Sequence, residues 1–118
     1  MDRLITIEEI KNARAALPPA IRETPILPFA ADSPSVGEEK LYLKAENLQV
    51  TGAYKVRAAF TILNGLTASE RKRGVVLTSS GNFAQAFGFA GAQMGVPIVV
   101  VMLDQTSPYK IEATRAYG

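Results

Sequence analysis

The sequence predicts an α/β fold, an open parallel sheet with helices on both faces, of which this chain carries an incomplete set. Three observations predict it. From Val75 onward, strand-like and helix-like segments alternate at βαβ spacing, which implies parallel strands and right-handed crossovers. Two short runs, Val75–Thr78 and Pro97–Met102, are apolar without alternation, the pattern of strands covered on both faces. Between them, Phe83–Met94 is apolar almost all round, with Gln85 and Gln93 its polar positions. A helix of that kind is buried, and its Gly and Ala content makes it thin enough for backbone to pack closely against it.

Each element follows from local chemistry. Thr6 with Glu9 forms a capping-box pattern, and Ile7, Ile10, Ala13 and Leu17 then share one face, so a first helix should end at Pro18-Pro19. From Ile21 to Glu39, Pro25, Pro28, Pro34 and Gly37 predict an irregular loop with at most a short extended piece. Residues 1–39 are thus a helix and loop, and 40–118 a βαβ region. Leu41–Ala45 alternates as a strand. Val56, Ala59, Phe60 and Leu63 keep helical spacing, which predicts a helix from about Tyr54 to Leu66. Thr67 and Glu70 open a short helix that Gly74 closes. Gly95 ends the buried helix. Ser107 with Pro108 starts a last one, with Tyr109, Ala113 and Ala116 on one face. Three strands make a thin core for so apolar a helix, so the chain reads as part of a larger body or as dependent on a partner.

Composition narrows the chemistry. The 118 residues are 47% apolar and 20% charged, which suits one globular domain. Without Cys there is no disulfide frame or thiolate nucleophile, and without His the commonest general base is missing. No metal site is expected. The net charge is +2 and the densest basic run, Arg71-Lys72-Arg73, suits the last turn of a helix, so no nucleic acid partner is expected. Met94–Leu103 is too short to span a bilayer and Met1-Asp2-Arg3 leads into an amphipathic stretch, so a cytoplasmic protein without a membrane partner is expected.

Two turns carry candidate chemistry. In Gln49-Val50-Thr51-Gly52-Ala53-Tyr54-Lys55, Lys55 falls in the first turn of a helix, where a cation opposes the helix dipole. A solvated lysine explains it blandly; an amine used to form a Schiff base explains it functionally, and Arg57 and burial would both favour the neutral amine. In Thr78-Ser79-Ser80-Gly81-Asn82, a strand turns into a helix through small residues, which presents backbone N–H groups to an anion. Capping by Ser79 or Asn82 is the bland alternative. Both turns are expected at the carboxyl ends of strands of the parallel sheet, where open α/β folds bind ligands.

Taken together, the turns resemble the fold type II pyridoxal-phosphate enzymes, in the branch of the threonine/serine dehydratases and serine racemases. That family reads Lys-x-Glu-x-x-Gln-x-Thr-Gly-Ser-Phe-Lys, then Arg-Gly-Ala, and later Ser-x-Gly-Asn-His. Here the first stretch stands as Lys44-Ala45-Glu46-Asn47-Leu48-Gln49-Val50-Thr51-Gly52-Ala53-Tyr54-Lys55, followed by Arg57-Ala58-Ala59. The second stands as Ser79-Ser80-Gly81-Asn82-Phe83. Thr24-Pro25 is similar to the family's Thr-Pro step, and Lys110 to Gly118 to its Lys-x-x-x-x-Arg-x-x-Gly helix.

The resemblance implies a tryptophan synthase β-like fold and pyridoxal 5′-phosphate as cofactor. It implies that Lys55 holds the cofactor aldehyde as a Schiff base, that Asn82 hydrogen-bonds the pyridoxal 3′-oxygen, and that Tyr54 packs against the ring. The amides of Ser79, Ser80, Gly81, Asn82 and Phe83 would hold the substrate carboxylate. Ser80 would be the acid or base on the face opposite the lysine. Three positions depart from the pattern: Ala53 for Ser, Ala58 for Gly and Phe83 for His. The family's glycine-rich phosphate cradle and the partner of the pyridine nitrogen lie downstream of its matching motifs, so this chain is expected to be an N-terminal portion with half the cofactor site. The expected activity is removal of water and ammonia from L-threonine or L-serine, a small amino acid substrate, by a homo-oligomer (dimer or tetramer) when complete. Racemisation, β-replacement and a non-catalytic fragment are the alternatives.

Overall fold

A computed structural model describes residues 4–29 and 41–118. In chain order these form α1 (Ile7–Ala15), β1 (Ile26–Pro28), β2 (Tyr42–Lys44), a 3₁₀ turn (Glu46–Leu48), α2 (Lys55–Gly65), α3 (Ala68–Arg73), β3 (Val75–Thr78), α4 (Asn82–Met94), β4 (Ile98–Val101) and α5 (Pro108–Arg115). The expected loop from Ile21 to Glu39 is irregular up to β1, and its part from residue 30, with Pro34 and Gly37, lies outside the described residues.

Both capping boxes form. Thr6 accepts from the Glu9 amide and Thr67 from the Glu70 amide, while each glutamate reaches back to the cap backbone. The Thr67 backbone and hydroxyl hydrogen bonds hold the Glu70 carboxyl below its usual range. Arg71 does more than complement the end of α3. Its guanidinium donates to the carbonyls of Leu66 and Asn64, which satisfies the open C-terminus of α2.

β3 and β4 pair in parallel, Val75 opposite Ile98 through Thr78 opposite Val101, with α4 as the crossover between them. Val56, Ala59, Phe60 and Leu63 of α2 pack with Ala86, Phe87 and Ala90 of α4 and with Val96 to form the core. α4 earns its small residues. A Cβ on Gly91 would overlap the Ile98 side chain and lie 2.8 Å from the Val96 carbonyl oxygen. One on Gly88 would lie 3.3 Å from Cβ of Tyr117, behind α5. Gly74 sits at φ +85°, where a Cβ would meet the Pro97 carbonyl at 2.5 Å, so the join of α3 to β3 needs glycine on both counts.

Three expectations are corrected. Leu41–Ala45 does contain a strand, but β2 pairs antiparallel with β1, Ile26 opposite Lys44, and stands outside the parallel sheet. The short extended piece between Pro25 and Pro28 returns to satisfy its backbone, with Ala45 N–H donating to the Pro25 carbonyl at 3.0 Å. Secondly, β3 and β4 are not covered on both faces. Val75, Leu77 and Ile98 pack on the core, whereas Val76 is 71% and Val99 56% exposed, because the helices that pack by way of α4 lie on one side. The open α/β arrangement stands; the second layer is not among the described residues. Thirdly, of the face expected for α5 only Ala113 is half-buried, while Tyr109 and Ala116 are exposed; Ile111 and Thr114 turn inward, with Tyr117 just past the helix end. Thr114 tolerates burial because its hydroxyl donates to the Lys110 carbonyl at 2.9 Å.

Candidate functional site

The lysine turn is held by a polar network together with Val50, packed on the core, and buried Ala53. Gly52, at φ +70°, closes it by donating its N–H to the Gln49 carbonyl at 2.8 Å. Gln49 is buried, and its amide pins Arg22, in the irregular segment before β1, from both sides: its Oε1 accepts from the Arg22 N–H and its Nε2 donates to the Arg22 carbonyl, each at 2.9 Å. Arg57 grips Glu46 with two prongs, Nε to Oε2 at 2.9 Å and a terminal nitrogen to Oε1 at 2.8 Å. The Thr24 hydroxyl also donates to Glu46. That guanidinium holds the Glu46 carboxyl down to about 2, with the Thr24 hydroxyl helping, against the opposing cost of burial. Glu46 in turn raises Arg57 above its ordinary value.

Arg57 is therefore committed to Glu46. Its expected part, as a cation disfavouring charge on the Lys55 amine, is not what its geometry serves. Lys55 opens α2 at half-buried depth, with Tyr54 as a cap residue that makes no side-chain cap bond.

The second turn begins where β3 ends. Ser79 N–H donates to the Val101 carbonyl at 3.3 Å, and its Oγ accepts from Gly81 N–H at 3.3 Å. Gly81 is the cap of α4, and no side chain caps that helix. The capping role expected of Ser79 or Asn82 is thus not filled: Ser79 braces the turn and Asn82, exposed, is the first helical residue. The first-turn amides of α4 have no partner inside the helix and face outward with the positive end of its dipole. Ser80 is exposed beside them.

Folding brings the two turns together. The Lys55 Nζ lies 5.2 Å from the centre of the Tyr54 ring and 5.6 Å from that of Phe83. Phe83 stacks edge-to-face on Phe87 at 4.8 Å, and Phe87 belongs to the core. Of the two turns, the second stands at the carboxyl end of a parallel strand, and the first reaches it because α2 packs on α4. A primary amine beside aromatic rings and an uncapped helix N-terminus can receive an aldehyde that carries a flat ring, with a carboxylate on the amides. Pyridoxal phosphate fits that description on its aldehyde side.

Comparison with known proteins agrees. The family profile described as "Pyridoxal-phosphate dependent enzyme" matches residues 17–118. The chain belongs to this family of pyridoxal-phosphate-dependent enzymes. It is 40% identical over 115 residues to an L-threonine ammonia-lyase of Thermotoga maritima, covering 98% of this chain and 28% of that protein. The crystal structure of a pyridoxal 5′-phosphate-dependent aspartate racemase superposes with a TM-score of 0.83 at 36% identity, over 97% of this chain and 36% of the other. Maize serine racemase gives a TM-score of 0.84 at 33% identity, over 95% and 34%. The chain spans about a third of the length of the relatives it matches. Fold type II architecture and a pyridoxal-phosphate cofactor follow for the family, as the motifs implied.

Within this family member, sequence reasoning missed the assembly of Thr24, Glu46, Gln49 and Arg57. Only Arg57 among them had an expected part, and it was a different one. Two charged residues set among Ala45, Gln49 and Thr51 were the available signal, since buried charge requires a partner. No helix among the described residues is long and apolar enough to cross a membrane. Those residues also hold no cluster of His, Cys, Asp or Glu suited to a metal.

Proposed function

We propose that this chain supplies the lysine side of a pyridoxal-phosphate site that deaminates L-threonine or L-serine by eliminating water, which is taken up again as ammonia is released, a lyase reaction leaving a 2-oxo acid. The observation that carries it is the meeting of Lys55 with the uncapped Ser79–Phe83 turn. When bound, the cofactor supplies an electron-withdrawing ring that stabilises negative charge at the substrate Cα. The protein supplies the rest. Lys55 would hold the cofactor aldehyde, and its amine would serve as the base for the Cα proton. Of the amides of Ser79, Ser80, Gly81, Asn82 and Phe83, those of Ser79 and Gly81 are engaged with the Val101 carbonyl and the Ser79 hydroxyl, so the amides of Ser80, Asn82 and Phe83 would hold the carboxylate, and the Asn82 side chain would bond the cofactor's 3′-oxygen. Tyr54, 56% exposed, offers a ring face. The complete protein is read as a cytoplasmic homo-oligomer, in keeping with a sequence free of Cys.

Racemisation is the second reading, supported by exposed Ser80 directly before Gly81 and by the likeness to two racemases. Exposure to pyridoxal phosphate followed by borohydride should fix the cofactor on Lys55, read by peptide mapping. Label on Lys44 or Lys72 instead would overturn the assignment. Formation of 2-oxobutyrate from L-threonine, against loss of optical purity in L-serine, separates the two activities.

A further inference from the structure

The cofactor and substrate roles above leave one side chain without a purpose, the Phe83 ring beside the Lys55 amine. Tyr54 precedes Lys55 in sequence, so its nearness is partly a matter of adjacency. Phe83 is different. It comes from another helix, 28 positions on in the chain, and its ring centre still lies 5.6 Å from Nζ. Nor is that ring loosely placed. Phe83 is half-buried and locked edge-to-face on Phe87, which is 3% exposed and packs among α2 and α4.

We propose that Phe83 is a positioning residue for Lys55: its core-anchored ring and that of Tyr54 form an aromatic clamp that holds the lysine ammonium at the mouth of the Ser79–Phe83 turn. An ammonium within about 6 Å of a ring centroid is attracted by the negative π face. No anionic partner competes for the amine: among the described residues no carboxylate lies within ion-pairing distance of Lys55. A lysine with four rotatable bonds and no ion pair would otherwise sample solvent. The clamp instead fixes where the amine waits, beside the amides that face an incoming anion. It also makes the Lys55 amine less available to reagents than an ordinary exposed lysine, until a flat aldehyde-bearing ring displaces one wall. The inference depends on Lys55 being the cofactor lysine only for its purpose, not for its geometry.

The test compares the intact chain with Phe83→Leu and Phe83→Tyr. Trinitrobenzenesulfonate labelling of Lys55 is measured by peptide mapping against Lys110, an exposed lysine on α5. Leucine keeps apolar bulk and loses the π face, so Lys55 should label about two- to fivefold faster, the range that one exposed cation–π contact supports. Tyrosine keeps the face and should restore the original rate, which a merely steric role would not require. Equal rates in all three, or a tyrosine variant behaving like leucine, would overturn the clamp. Should the leucine variant fail to fold, NMR of the unaltered chain decides. The Lys55 ε-methylene protons should lie upfield of those of Lys72 and Lys110 through ring currents, and coincidence with them would overturn the proposal. A parallel borohydride experiment with pyridoxal phosphate keeps the two readings apart. Labelling that responds to Phe83 without cofactor fixed on Lys55 would leave the clamp standing and remove its purpose. Cofactor on Lys55 with labelling indifferent to Phe83 would do the reverse.

Discussion

Arg57 and Glu46 share two hydrogen bonds, at 2.9 and 2.8 Å, and this pair ties the first turn of the lysine-bearing helix to the segment that leaves β2. It is a partly buried pair, Glu46 having 15% and Arg57 30% of its side chain exposed. Removing one member is therefore worse than removing both, since the survivor keeps its desolvation cost and loses its partner. The same guanidinium donates to the Arg22 carbonyl at 3.1 Å, where Gln49 also bonds. Strain on this network is transmitted to the place where Lys55 begins.

Acid should therefore weaken the fold in a defined window. Glu46 falls from 4.5 to about 2 on folding, because Arg57 and Thr24 bond its charged form. A carboxyl depressed in the folded state stabilises above its unfolded value and loses that contribution as pH falls through the folded one. The window is thus from about 4.5 down to about 2. Linkage bounds the contribution at roughly 3 kcal/mol, and solvent reaching the rim of the pair reduces it to about 1–2 kcal/mol. Thermal melts of the chain and of Glu46→Gln across that range check it. The variant should be less stable at pH 7 and should show a flatter acid limb. Parallel acid limbs would remove Glu46 as the titrating group.

Replacing Gly91 by Leu should destabilise by about 1–3 kcal/mol or more, since Ile98 and the Val96 carbonyl already occupy the space a Cβ would need. Gly88→Leu should cost less than Gly91→Leu, because its nearest neighbours, Cβ of Tyr117 and the Thr114 carbonyl at 3.5 Å, lie farther off. Denaturant melts give the order directly. Equal tolerance of both would mean that α4 does not pack as described.

Valine on the two faces of β4 should behave differently. Val99→Thr, on the exposed face, should change stability by less than about 0.5 kcal/mol, whereas Val100→Thr, on the half-buried face, should cost about 1 kcal/mol or more. The contrast bears on what the sequence could and could not disclose. Helix boundaries were legible because Thr6, Thr67, Gly74, Gly95 and Pro108 carry their signals within one turn of chain. The apolar run of β4 was legible as a strand but not as a half-covered one. Apolar sequence reports what a face requires, and the cover for Val76 and Val99 is not among the described residues. The pairing of β2 with β1 was illegible for another reason: three-residue strands carry too little pattern to name a partner. At the site, motif order marked Lys55 and the Ser79–Phe83 turn as candidates, and folding brings Lys55 beside Phe83. The Phe83–Lys55 approach was not legible, because it depends on the packing of α2 on α4.

Ser80 separates the two candidate activities. Its side chain is exposed beside the uncapped start of α4, while Ser79 is occupied in bracing Gly81. The two neighbouring serines are thus not equivalent, and Ser80 retains a hydroxyl with no structural duty in the turn. Inverting Cα requires a proton to arrive on the face that Lys55 does not reach, and a general acid within hydrogen-bond range of that face is the geometric condition. Eliminating water requires a proton taken from Cα and one given to the departing β-hydroxyl, and Lys55 can serve for both without a group on the opposite face. Ser80→Ala in the holoenzyme should leave formation of 2-oxobutyrate from L-threonine within about threefold of its original rate, less than the factor a lost general acid or base costs. The same change should abolish racemisation of L-serine, followed by chiral chromatography. Because Ser80 makes no bond in the turn, the melting temperature should not move. Equal loss of both activities at an unchanged melting temperature would assign Ser80 to the carboxylate cradle instead, and an unaltered enzyme that leaves L-serine optically pure would assign the site to elimination alone.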